Sequence, residues 1–157
     1  MIQRFTFGCP LPTESVVLPV ESAAAVPYLT AEPDGSWSFS LAEDAVVYGL
    51  GEMPRGINKR GWHYVTDNTD ESHHGENRLS YYGAHNFLLI DGGAGRSVFG
   101  VFVDFPGKVF YDIGYTRNER LTFRTEEPDY DLYILTGDSP NAVCTEFRKL
   151  IGHSYIP

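Results

Sequence analysis

The sequence predicts an all-β fold, an antiparallel β-sandwich with one short α-helix near its C-terminal end. Aromatic residues make up 14% of the 157 residues, and 16 glycines and 10 prolines are spread along the chain. Aromatic side chains fit a pleated sheet, and glycine and proline mark turns. Short runs of alternating apolar and polar residues recur about every 8–12 residues, which is typical of a sandwich or barrel. A helical period appears only after residue 137.

The first strand predictions lie in the N-terminal third of the chain. Residues 37–41 alternate with period two after a Pro-Asp-Gly turn, which predicts a half-buried strand. Residues 45–50 are predicted to pair with it in a hairpin whose polar link contains Glu43 and Asp44. Residues 16–20 are interrupted by Pro19, so they predict an edge strand or no strand.

The strongest core signals follow in the second half. Residues 85–90 and 97–103 are apolar and flank a glycine-rich connection, residues 91–95, suited to positive φ. They predict a hairpin with a loop of about five residues. Residues 108–113, 120–124 and 130–136 continue the same strand rhythm.

The predicted helix begins after Asp138 and Ser139, two candidate N-cap residues followed by Pro140. Its apolar positions at i, i+4, i+7 and i+8 are Val143, Phe147, Leu150 and Ile151. Gly152 is placed to end it. Cys144 lies inside this pattern and is predicted to be buried, and Cys9 and Cys144 are interpreted as two reduced thiols.

Composition excludes several classes of partner. The formal net charge is -9, with 12 basic against 21 acidic residues, and a nucleic-acid-binding protein needs a basic face. No apolar run reaches the ~18 residues of a membrane span. The first residues lack an apolar run of signal-peptide length. We therefore expect no nucleic-acid and no membrane partner, and a cytoplasmic location.

Two polar segments exceed what a minimal sandwich needs, and function is expected there. Residues 49–61 contain Gly49-Leu-Gly-Glu, which lacks the spacing of a phosphate-binding loop and is interpreted as a strand exit with close backbone packing. The second segment is the 67–80 loop, which begins with Asp67 and ends with Ser80.

The 67–80 loop carries His73 and His74 among several acidic residues, but its spacing fits neither a zinc nor a calcium site. No metal and no cofactor are expected. No G-x-S-x-G motif is present, and a flexible loop is a poor holder for a glycosidase carboxylate pair, so no catalytic residue is assigned. Four aromatic residues near the loop leave a ligand platform open as an alternative to core packing; they are Trp62, Tyr64, Tyr81 and Tyr82.

A series of short motifs occurs in one order along residues 45–157. These motifs are Tyr48-Gly-Leu-Gly-Glu52, Gly56-Ile-Asn-Lys-Arg-Gly61, Asn68-Thr-Asp70, Tyr81-Tyr-Gly-Ala-His-Asn-Phe87, Phe99-Gly-Val-Phe102, Asp131-Leu-Tyr-Ile134, Gly137-Asp-Ser-Pro140 and Ile151-Gly-His-Ser-Tyr-Ile-Pro157. In that order they resemble glycoside hydrolase family 31, the family of α-glucosidase-like enzymes.

The resemblance implies a galactose-mutarotase-like β-sandwich that forms one N-terminal domain, residues 1–157. A (β/α)8 catalytic barrel that supplies both catalytic aspartates would follow it, so this domain alone is expected to be inactive. The resemblance assigns Asp70 as the substrate-binding residue, in a loop that reaches the subsite for α-linked glucosides or oligosaccharides. Thr69 stands where the family often has a bulky residue or arginine.

Two other functions remain open at this point. The aromatics around the loop suit a free-standing carbohydrate-binding module. A sugar mutarotase would need an acid and a base facing one pocket, for which His63 and His85 are the candidates. An exposed apolar strip that would otherwise meet the barrel predicts self-association into a homo-oligomer.

Overall fold

The computed structural model describes residues 1–24, 29–70, 72–92 and 97–153. Two antiparallel sheets and one helix account for the regular structure of these residues. The elements are β1 (Ile2–Phe7), β2 (Thr30–Ala31), β3 (Trp37–Ser40), β4 (Val46–Gly51), β5 (Trp62–Thr66), β6 (Ala84–Asp91), β7 (Val98–Asp104), β8 (Val109–Ile113), β9 (Arg120–Thr125), β10 (Tyr130–Gly137) and α1 (Pro140–Ile151).

The two sheets pack face to face, which confirms the predicted all-β sandwich. The first sheet has the order β1-β10-β7-β6-β4 and the second has the order β2-β3-β9-β8-β5. Alternate residues of each strand point into the core, as period-two patterns require. The core includes Val47, Leu88, Ile90, Val101, Val103, Val109, Ile113, Leu121, Phe123 and Leu132, each no more than 1% exposed. Burial of this apolar area stabilises the sandwich by roughly 25 cal/mol per Å² removed from water.

The helix α1 covers the outer face of the first sheet and confirms the predicted amphipathic helix. The Ser139 side chain accepts a hydrogen bond from the backbone N of Ala142, and Gly152 ends the helix at φ 84°. Val143 and Leu150 are buried against the sheet. The ring of Phe147 stacks on that of Phe87 with centroids 3.8 Å apart.

The predicted burial of Cys144 is wrong, since this side chain is exposed, as is that of Cys9. Residues four and seven positions after Val143 continue the buried stripe of α1, and position 144 lies about 100° around the helix from Val143, outside that stripe. Both cysteines are free thiols, as predicted.

The predicted β3–β4 hairpin is also wrong. β3 pairs with β2 and β9, whereas β4 pairs with β6 in the other sheet. The link between them crosses from one sheet to the other, and its flanking residues Leu41 and Ala45 are 5% and 3% exposed. Alternation shows that one face of a strand is buried but does not say which sheet the strand joins, and the short link suggested a hairpin.

The other local predictions agree with the structure. β6 and β7 form the predicted hairpin, with Asp91 opposite Val98, and residues 93–95 of its connection lie outside the described residues. Residues 16–20 form no strand. The backbone N of Val17 and that of Leu18 donate instead to the carbonyl of Leu150, at 2.9 and 3.2 Å, near the end of α1. In the part of the chain that the structure describes, no helix has the length and apolarity needed to cross a bilayer.

Candidate functional site

The glycine-rich end of β4 turns the chain into the first polar segment. Gly49 has φ 122°, and a Cβ there would lie 2.2 Å from the carbonyl oxygen of Phe87. Gly51 has φ 71°, and its Cβ would lie 2.2 Å from the carbonyl oxygen of Gly83. Between them, Leu50 is fully buried at φ 65°, and the register with β6 shifts. The interpretation as a strand exit with close backbone packing is confirmed.

Arg60 fixes the end of this segment to two other parts of the sandwich. Its Nη1 donates to the carbonyl oxygens of Ala42, Glu43 and Ala45, at 2.5, 2.9 and 3.1 Å. Its Nη2 donates to the carbonyl oxygen of Asn118 at 2.8 Å. Sequence reasoning did not assign this role, because carbonyl clusters depend on turns whose geometry no local pattern reports. The guanidinium, with five donors in a plane, suits such a cluster.

The 67–80 loop joins β5 to β6, and its base is closed by hydrogen bonds between its two arms. Backbone N atoms on the rising arm donate to the returning arm as follows: Val65 to Leu79 O at 3.2 Å, Asp67 to Ser80 Oγ at 3.2 Å, and Thr69 to Tyr81 O at 3.5 Å. Lys108 Nζ lies 3.0 Å from Asp67 Oδ2, which ties the base to the residue that precedes β8. This ion pair raises the pKa of Lys108.

Asp70 lies above this base and is exposed. Within the described ranges, which leave out its neighbour Glu71, its carboxylate makes no hydrogen bond or ion pair. Further along the loop, the hydroxyl of Tyr81 donates to the carbonyl of Gly75 at 3.0 Å and so holds the tip.

The two adjacent histidines of the loop contact different partners. His73 Nδ1 lies 2.9 Å from Ser72 Oγ, while the His74 ring stacks on Tyr81 with centroids 4.7 Å apart. Among the residues that the structure describes, no three His, Cys, Asp or Glu side chains come together as a metal site.

The four candidate aromatics divide into two pairs. Tyr64 and Tyr81 are 1% and 8% exposed and belong to the packed interior. Trp62 and Tyr82 are 44% and 42% exposed. The guanidinium carbon of Arg55 lies 4.4 Å from the centre of the Trp62 ring, so one face of this ring is already occupied.

His63 lies on the outer face of the second sheet, where its Nε2 is 3.1 Å from Asp112 Oδ2. Burial pushes the pKa of Asp112 up, but hydrogen bonds from Thr116, Tyr115 and His63 outweigh burial and hold that pKa below its usual value. This pair lines a groove of about 730 Å³.

His85 lines a separate pocket of about 430 Å³ beside the base of the 67–80 loop, together with Asp67, Asn68, Asn86 and Lys108. Burial lowers the pKa of His85. The structure therefore does not bring His63 and His85 to one pocket, which is the arrangement that a mutarotase reaction requires.

Residues 17–112 match the model of the glycosyl hydrolase 31 N-terminal galactose mutarotase-like domain. The chain belongs to this family. As a glycosyl hydrolase 31 N-terminal domain, it is matched from Val17 onward, so residues 17–44 also carry the family's pattern, although the motifs pointed mainly to residues 45–157.

Relatives of this glycosyl hydrolase 31 domain are much longer. The probable maltase-glucoamylase 2 of Homo sapiens is 30% identical over 125 residues, which are 76% of this chain and 5% of that protein. The alpha-xylosidase XylQ of Lactiplantibacillus pentosus is 30% identical over 118 residues, 75% of this chain and 14% of that protein. The chain thus spans a small fraction of the curated relatives it matches.

Solved structures show the same fold. The GH31 dextranase of Flavobacterium johnsoniae, in complex with isomaltotriose, superposes with a TM-score of 0.70 at 22% identity, over 85% of this chain and 16% of that one. The cycloalternan-degrading enzyme of Trueperella pyogenes, in complex with isomaltose, gives a TM-score of 0.67 at 19% identity, over 78% of this chain and 18% of that one.

Proposed function

We propose that this chain is the non-catalytic N-terminal domain of a retaining α-glucosidase-type glycoside hydrolase. In this proposal it packs on a (β/α)8 catalytic barrel of the same chain and lends the 67–80 loop to the substrate subsite. Family membership supports the domain assignment. The names of the relatives, and the isomaltose oligosaccharides bound to the structural neighbours, support α-linked glucosides as the substrate class.

The exposed carboxylate of Asp70 is the observation that carries the role of the loop. An ionised carboxylate only accepts hydrogen bonds and takes two sugar hydroxyl donors at once, in contacts stronger than neutral ones. Because Asp70 makes no hydrogen bond or ion pair within the described ranges, a sugar need not displace such a partner there.

The base of the loop supports the same role. A binding side chain is useful only if its geometry is held before the ligand arrives. The hydrogen bonds between the two arms and the Asp67–Lys108 ion pair supply this support a few residues from Asp70.

The test is steady-state kinetics of the longer enzyme that carries this domain, with an aryl α-glucoside and with isomaltose. Asp70→Ala is expected to lower kcat/KM by an amount equivalent to about 1.5–3 kcal/mol, the range for hydrogen bonds to a charged group. Glu127→Ala, an exposed acid in the turn before β10, is the matched control and should leave kcat/KM unchanged. Unchanged kinetics in Asp70→Ala would remove the assignment of Asp70, and sugar release by residues 1–157 alone would contradict the non-catalytic role.

The exposed rings of Trp62 and Tyr82 favour one second candidate, a free-standing carbohydrate-binding module. Sugars stack their apolar faces on such rings. Calorimetry of residues 1–157 with maltose and isomaltose separates the two functions. Saturable binding below millimolar that is lost in Trp62→Ala would favour the binding module over a loop that acts only beside a barrel.

A further inference from the structure

Two cations and a tyrosine meet where residues 52–61 reach β5. Lys59 and Tyr64 are 5% and 1% exposed. Lys59 Nζ lies 5.6 Å from the centre of the Tyr64 ring, and the guanidinium carbon of Arg55 lies 5.4 Å from the same centre. Both cations are therefore held around one buried aromatic ring.

Several hydrogen-bond donors of this group are unsatisfied. Tyr64 Oη and Arg55 Nε are buried and have no hydrogen-bond partner in the ranges that the structure describes. Lys59 Nζ, which carries three donors, makes one long hydrogen bond of 3.4 Å to the carbonyl of Pro54. Buried polar groups are nearly always paired, because each unpaired one costs about 1–3 kcal/mol.

The charges of this group are also unbalanced. Acidic residues outnumber basic ones by 21 to 12 in the chain, yet no described carboxylate lies within ion-pair distance of Arg55 or Lys59. Burial, and secondarily the charge of Arg55, lowers the pKa of Lys59. A buried cation normally has a counter-ion, since the loss of hydration is otherwise uncompensated.

We propose that Arg55, Lys59 and Tyr64 form a binding site for one carboxylate group. A carboxylate there would accept from Lys59 Nζ, Tyr64 Oη and Arg55 Nε in charge-assisted hydrogen bonds. Two sources share this chemistry, the side chain of Glu76 in the 67–80 loop and a small organic acid from solvent. The site is independent of the role proposed for Asp70.

The internal source in this proposal is Glu76. It is exposed, and its negative charge already raises the pKa of Lys59 and contributes to the raised pKa of Tyr64, for which burial is the main cause. Movement of Glu76 onto the cations would bring the returning arm of the loop against residues 55–59.

The test uses the lysines as reporters, because Lys59, Lys108 and Lys149 are the only three in the chain. NMR of protein labelled with ¹³C at lysine Cε gives three signals, assigned with Lys108→Arg and Lys149→Arg so that the site stays intact. Sodium formate is the probe, formamide is the neutral control of similar size, and sodium chloride holds the ionic strength constant. We expect formate to move the Lys59 signal saturably and to raise its pKa, and formamide to do neither.

Glu76→Gln distinguishes the two sources, with Glu127→Gln as its control. If Glu76 is the occupant, the variant lowers the pKa of Lys59 and binds formate about tenfold more tightly than the unmodified protein. If the acid comes from solvent, formate affinity stays within about twofold in the two proteins. The proposal is overturned if formate leaves the Lys59 signal unmoved in both proteins, because the charge of Glu76 acting from a distance explains a lower pKa of Lys59 in Glu76→Gln without a carboxylate site.

Discussion

Asp104 of β7 and Asp131 of β10 lie directly opposite each other in the ladder of the first sheet, and they are 9% and 8% exposed. Arg4 Nη2 lies 2.8 Å from Asp131 Oδ2, while Asp104 Oδ2 accepts a hydrogen bond from the neutral hydroxyl of Thr13 at 2.8 Å. Burial raises the pKa of Asp104.

Asp104→Asn is expected to stabilise the domain at neutral pH. In the unfolded chain Asp104 ionises near 3.8, and in the folded chain it ionises at a higher pH. Across the interval between these two values the folded protein holds the extra proton, so a rise in pH lowers the free energy of unfolding. Removing the like charge opposite Asp131 should add roughly 0.2–1 kcal/mol above the folded pKa and nothing below about 3.8.

Thermal unfolding at a series of pH values measures this effect. Asp131→Asn is the control, and it should destabilise the domain at neutral pH by about 1–2 kcal/mol, because Arg4 loses its hydrogen-bonded counter-ion. An equal loss of stability in both variants would contradict the asymmetry between the two aspartates.

Gly49→Ala should destabilise the domain by about 2–4 kcal/mol, since φ 122° is open to glycine alone and the added Cβ would meet the carbonyl oxygen of Phe87. Gly56→Ala is the matched control, with open space around its Cβ position and no positive φ, and it should be neutral or stabilising by about 0.4–1 kcal/mol. Urea unfolding of both variants checks the pair, and equal midpoints would refute the close-packing role of Gly49.

Arg60→Lys should lower the free energy of unfolding by about 1–3 kcal/mol, because one ammonium cannot reach the carbonyls of the sheet crossing and that of Asn118 together. Arg148→Lys, on the exposed side of α1, is the control and should change stability by less than about 0.5 kcal/mol. Chemical denaturation measures both, and a neutral Arg60→Lys would show that the crossing needs no such clamp.

Both thiols should react with Ellman's reagent in the native protein, because Cys9 and Cys144 are exposed. The Cys144→Ser variant should lose one equivalent and retain its thermal stability. If Cys144 reacted only after unfolding in guanidinium chloride, the sequence-based prediction that its side chain is buried would be correct.

Self-association remains a prediction, and the structure indicates which exposed residues would form the contact. Large exposed apolar side chains on or near the two polar segments are Ile57, Trp62, Leu79 and Tyr82. Light scattering at rising concentration should show oligomers that Ile57→Ser and Leu79→Ser weaken. A monomer at every concentration would count against it.

The alternation of apolar and polar residues, together with turn residues, predicted most of the strands, because a strand buried on one face has apolar side chains at every second position. They failed where tertiary contacts decide which strand pairs with which. The link between Leu41 and Ala45 has the length of a hairpin turn, but in the structure it crosses between the sheets and Arg60 donates to its carbonyl oxygens. β1, β2 and β5 were not predicted. The pairing of β1 with β10 spans nearly the whole chain, a contact that no local window reports.

The candidate site, like the fold, was predicted where local sequence motifs carry the information and missed where three-dimensional contacts do. The ordered motifs led to Asp70 and its loop, because short motifs can be recognised in the sequence alone. The group formed by Arg55, Lys59 and Tyr64 could not be predicted from the sequence. It is recognised by buried donors that lack hydrogen-bond partners among the described residues, and this can be observed only in three dimensions. The sequence left Tyr64 open between core packing and a ligand platform, and it says nothing about what the hydroxyl of Tyr64 contacts.

The hydrogen bonds that close the base of the 67–80 loop separate the sandwich from the residues above it. The described residues between Thr69 and Leu79 belong to no strand of either sheet, so we expect this stretch to tolerate substitutions and changes of length without loss of strand pairing. This loop is therefore the part of the domain that evolution, or an engineer who exchanges loops between relatives, can vary while the scaffold below it keeps its shape.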